Sequence, residues 1–110
     1  MTDEGFFYDL VLSDDQKSIT NVLAYQERPG QSLRAVMWSD TAHRWIYAPA
    51  IVADVLYDDS DPMTTQPADR ATAERAASAA LQAELPAESA LIALCEEGER
   101  MGWRYGPPGP

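Results

Sequence analysis

A chain of 110 residues can bury one domain core but is too short for two independent ones. Its 18 acidic and 8 basic residues give a net charge of −10, a field that repels nucleic-acid backbones and anionic membrane surfaces and attracts basic partners. No run approaches the roughly 18 uninterrupted apolar residues of a membrane span, so a membrane protein is not expected. The opening "MTDEGFFYDL" has acids where a secretion signal would carry positive charge. One cysteine, Cys95, allows no intramolecular disulfide, and a reducing, cytoplasmic setting is expected.

Along the chain, "FFYDLVL" (6–12) reads as a strand, followed by the turn-prone "SDDQKS" (13–18). In "ITNVLAYQE" (19–27), Ile19, Asn21, Leu23 and Tyr25 alternate with Thr20, Val22 and Ala24, the period of a second strand. "RPGQ" (28–31) sets Pro and Gly at the centre of a type II turn. "SLRAVMW" (32–38) and "HRWIYA" (43–48) form a hairpin about "SDTA" (39–42). Pro49 interrupts pairing, and "IVADVLY" (51–57) reads as a fifth strand.

"DDSDPMTTQP" (58–67) is a polar connector. Asp69 is placed to cap a helix whose apolar positions Ala73, Ala76, Ala77, Ala80 and Leu81 follow helical spacing. Pro86 separates it from a second helix with Leu91, Leu94 and Cys95 on one stripe and Gly102 as its stop. The expected fold is α+β, a four- to five-stranded, mostly antiparallel sheet over about 6–57, followed by two helices packed on one face. Residues 1–103 make one domain and 104–110 a flexible Pro/Gly-rich tail.

Two-residue alternation puts Arg34, Val36 and Trp38 on one sheet face with His43, Trp45 and Tyr47. With "SDTA" as the loop, Trp38 lies opposite His43, Val36 opposite Trp45, and Arg34 opposite Tyr47. The other face holds Leu33, Ala35 and Met37 against Arg44, Ile46 and Ala48. The alanine-rich helix suits that low, aliphatic side, which would leave Arg34, Trp38, His43, Trp45 and Tyr47 open as partner-binding residues. The alternative, which the sequence supports at least as well, is that these aromatics are the core and the aliphatic side faces out. The acidic run Asp58, Asp59 and Asp61 is a further candidate contact for a basic partner.

Catalytic patterns are weak. Ser39, Asp40 and His43 stand close in sequence, but turns favour Ser and Asp for their own hydrogen bonds. Cys95 precedes Glu96 and Glu97, which raise rather than lower a thiol pKa. One Cys and one His cannot supply a tetrahedral zinc set without carboxylates. "DDSDP" (58–62) lacks the sixth-position glycine and twelfth-position glutamate of an EF-hand loop, and there is no glycine-rich phosphate loop. No cofactor, metal or catalytic residue is expected. The sequence points to a small acidic cytoplasmic protein-binding or inhibitor protein, most concretely an immunity protein or antitoxin neutralising one basic protein. The alternatives are an accessory subunit of a phage or secretion assembly, and a small enzyme built on carboxylates and His43.

Overall fold

Alternating apolar residues assemble a sheet in a computed structural model that describes residues 6–13, 17–27, 30–31, 33–57 and 64–106. The strands are β1 (Phe7–Leu12), β2 (Ile19–Gln26), β3 (Arg34–Ser39), β4 (Arg44–Tyr47) and β5 (Thr64–Ala68). They pair antiparallel in the order β4-β3-β2-β1-β5. Three helices complete the described chain: α1 (Pro49–Tyr57), α2 (Arg70–Leu81) and α3 (Glu88–Met101). The α+β class, the antiparallel sheet and the two closing helices agree with the sequence analysis.

Residues 51–57 are a correction. They form most of α1, not a fifth strand. Pro49 opens the helix, where its missing N–H costs nothing and its fixed φ already suits the first turn. Val52, Val55 and Leu56 have helical spacing and pack with Val11, Leu23 and Ala35 under the sheet. The helix thus carries the chain from the β4 edge towards the opposite edge. There Thr64–Ala68, of which residues 64–67 were expected in a polar connector, forms β5 against β1. Pro67 is compatible with that place, because an edge strand has one side without ladder partners.

Of the two sheet faces that the sequence left open for the helices, the aromatic one is covered, which corrects the partner-binding reading built on the other choice. α2 lies over β1 and β2, and α3 over β3 and β4. Both pack on the aromatic side, not on the Leu33/Ile46 side. Phe6, Tyr8, Trp38, Trp45 and Tyr47 share one core with Ala73, Ala76, Ala77, Leu91 and Cys95. Bulky sheet residues fill the space that alanines and Gly98 leave, so large meets small and the core stays dense. The aliphatic side receives α1 instead. Two apolar layers therefore flank the sheet, one on each face.

Local chemistry explains the helix ends. Asp69 caps α2, its Oδ1 accepting from Thr72 N at 2.8 Å, and the carboxyl is held below its usual pKa by hydrogen bonds from the Thr72 side chain first and the Thr72 backbone second. α2 stops at Gln82 and α3 at Gly102, both left-handed, with φ of 50° and 75°. A bulge at Thr20 in β2 moves Ile19 out of strict alternation, onto the same side as Val22 and Ala24. After α3, Trp103 packs against the aromatic core, and Arg104 O accepts from Ala50 N at 2.9 Å.

Candidate functional site

The hairpin of β3 and β4 keeps the face assignment read from sequence but not the partners. Trp38 pairs with Trp45, Val36 with Tyr47 and Ser39 with Arg44. The loop is Asp40–His43, one residue later than expected, so each partner shifts by two and every side chain stays on its face. His43 N donates to Ser39 O at 2.7 Å with His43 at φ 60°, which closes the turn.

The sequence-derived residues occupy different environments. Trp38 and Trp45 are each 8% exposed and meet edge to face, centroids 5.4 Å apart at 67°. Their indole N–H groups donate to Asp40 Oδ1 and Glu84 O, both at 3.0 Å. Tyr47 is buried beneath Gly98 of α3, where an added Cβ would meet the Tyr47 ring. Arg34 makes a two-pronged ion pair with Glu99, both contacts at 3.0 Å, and ties β3 to α3. His43 is exposed at the turn, its ring 5.7 Å from that of Trp38. The open indole face is therefore overturned: Trp38, Trp45 and Tyr47 are core. Asp58, Asp59 and Asp61 lie outside the described residues.

The Ser39, Asp40 and His43 grouping is not joined into a relay among the described residues. Ser39 Oγ accepts from Ala42 N at 3.0 Å, and Asp40 holds the Trp38 indole. Cys95 is buried in the aromatic core. Among the described residues no group of three or more His, Cys, Asp or Glu could hold a metal ion.

On the α1 side, the sheet presents a different group of residues. α1 covers the centre of this face, packing against β3. Phe7, on β1, is 59% exposed, and Tyr57, at the end of α1, is 55% exposed. Tyr25 lies directly opposite Phe7 across the ladder, with ring centroids 5.8 Å apart. Tyr25 OH donates to Asp9 Oδ1 at 3.1 Å, and the Tyr57 hydroxyl donates to Glu27 Oε2. Pro67, opposite Asp9 on β5, is also exposed.

Electrostatics knit this face together. Asp9 is 5% exposed, and burial raises its carboxyl pKa, partly offset by hydrogen bonds from Tyr25 and Thr65. The Tyr25 phenol is pushed up by burial and then by the Asp9 charge. The hydrogen bond to Glu27, helped by burial, pushes Tyr57 up to about 12. Both phenols thus keep their protons and act as donors to carboxylates near neutrality. The arrangement is an exposed aromatic surface with negative charge at its rim and beneath it. Such a surface attracts cations and buries apolar groups.

Sequence reasoning missed these residues, although one signal was present. Alternation through "FFYDLVL" sets Phe7 and Asp9 on the side opposite Phe6, Tyr8 and Leu10. A carboxylate within an apolar strand, beside an aromatic on the same side, asks for a partner. Comparison with known proteins adds no assignment: no family model, curated protein or solved structure matches this chain. Among the described residues no helix is long and apolar enough to cross a membrane.

Proposed function

We propose that this chain is a small acidic binding or inhibitor protein that docks one basic protein partner through the Phe7–Tyr25–Tyr57 face, in the manner of an immunity protein or antitoxin. The observation that carries the reading is the exposure of Phe7 and Tyr57, at 59% and 55%, beside Tyr25 on the part of the sheet beyond α1. Large rings left in water on a small domain with two apolar layers are unspent contact area. The net charge of −10 speeds capture of a cationic partner. The buried residues Trp38, Trp45 and Tyr47 contribute by holding the sheet firm, a supporting role in place of a contact role. A cytoplasmic setting belongs to the same reading, which asks for no disulfide and no catalysis.

The test is retention of cellular proteins on the immobilised chain, compared with a Phe7→Ser, Tyr57→Ser double variant whose fold is checked by its thermal melt. One basic protein should be retained at about 0.05 M salt and released at about 0.5 M, since exposed charges are screened over a few ångströms at high salt. The double variant should lose it. Equal retention by the double variant, or retention indifferent to salt, would overturn the reading.

A further inference from the structure

Two carboxylates serve the Phe7–Tyr25–Tyr57 face in different ways. Asp9 lies under Tyr25, 5% exposed, and receives the hydrogen bonds of Tyr25 and Thr65. Glu27 is exposed at the rim. Its Oε2 takes the Tyr57 hydroxyl. The negative potential of these groups reaches both rings, since Asp9 and Glu27 each act on Tyr25 and on Tyr57.

Resting on the docking reading above, we propose that the partner group seated on this face is an arginine side chain, stacked on the exposed rings with its guanidinium directed to Glu27. The chemistry discriminates against other anchors. An apolar anchor would bury the rings but strip water from Glu27 without compensating it, which is costly for a charged group. A lysine ammonium is a strongly hydrated point charge that meets a carboxylate but does not stack as a plane. A guanidinium is planar, less hydrated, and offers donors in a fork while its face lies on an aromatic ring. The exposed Phe7 ring stands beside the acid rim, with the half-buried Tyr25 ring 5.8 Å from it and tilted by 36°. Charge complementarity on a chain of −10 points the same way.

The test uses three blocked tripeptides, Gly-Arg-Gly, Gly-Lys-Gly and Gly-citrulline-Gly, added to the intact chain at low salt. NMR reads the aromatic signals of Phe7, Tyr25 and Tyr57. The arginine peptide should shift those signals saturably, and the lysine peptide should bind several-fold more weakly. The citrulline peptide, which keeps shape but lacks charge, should leave them unmoved. Glu27→Gln should weaken the arginine peptide by about tenfold, the effect of one charge-assisted contact.

Equal binding of the lysine peptide would reduce the effect to net charge, and equal binding of the citrulline peptide to ring burial. Either result, or indifference to Glu27→Gln, overturns the arginine proposal. If the double variant still loses its protein partner in that case, docking on this face stands and only the arginine falls. If the double variant keeps its partner, the docking reading itself falls.

Discussion

Asp9 sits where a strand residue should be apolar, between Tyr8 and Leu10 in sequence and 5% exposed. Burial favours its neutral form, so its folded-state pKa lies above the unfolded value. The stability consequence has a definite sign. A raised carboxyl supports the fold most fully below the ordinary aspartate pKa of about 3.9, and that support is lost as pH climbs through the raised value. Asp9→Asn removes the ionisation while keeping an acceptor for Tyr25 and Thr65. Its stability relative to the parent should therefore rise as pH increases from about 4 towards neutrality. Urea midpoints of both proteins across that range check it, and a constant difference would show that Asp9 titrates normally. The residue was visible in the sequence as an oddity, but its partners Tyr25 and Thr65 come from two other strands. No local pattern names them.

Among elements, α2 and α3 were legible because each carries a clear cap or stop and a clean apolar stripe. Asp69 and Gly102 mark boundaries, and Ala73, Ala77, Leu91 and Cys95 turn inward as their spacing requires. α1 was not legible, because Ile51, Val52 and Val55 favour a strand when judged alone. Tertiary packing overrides that preference: the chain must cross a sheet face, and a helix satisfies its own backbone on the way. β5 was missed for the opposite reason, since "TTQPA" is polar and holds a proline, both acceptable only at an edge. The faces of the β3–β4 hairpin were read correctly, yet which face the helices cover depends on volume, not period. Gly98 is the clearest case. Glycine costs a helix interior about 1 kcal/mol relative to alanine, yet a Cβ here would lie 2.7 Å from Tyr47 Cβ and closer still to its ring. Gly98→Ala should therefore destabilise by about 1–3 kcal/mol, despite the gain in helix propensity. Chemical denaturation measures this, and a stabilised variant would mean that α3 and β4 are free to separate.

For the whole molecule, charge acts on folding and on association with opposite sign. A net charge of −10 repels itself most strongly in the compact state. Ion pairs such as Arg34–Glu99 and Arg70–Glu74 offset only part of this. Raising salt from about 0.01 M to about 0.15 M shortens the Debye length from about 30 Å to about 8 Å. The melting temperature should rise over that interval while association with a basic partner weakens. Thermal melts and binding titrations in the same buffers check both, and a falling melting temperature would mean that the ion pairs outweigh the repulsion. The route of the chain has a kinetic consequence as well. β1 to β4 meet through neighbouring turns, whereas Tyr8 and Ala68, paired across β1 and β5, stand about sixty residues apart along the chain. Closing that long circuit is entropically the slowest step open to the sheet, so its last strand is seated only after the meander and the crossing helix have set the distance it must span.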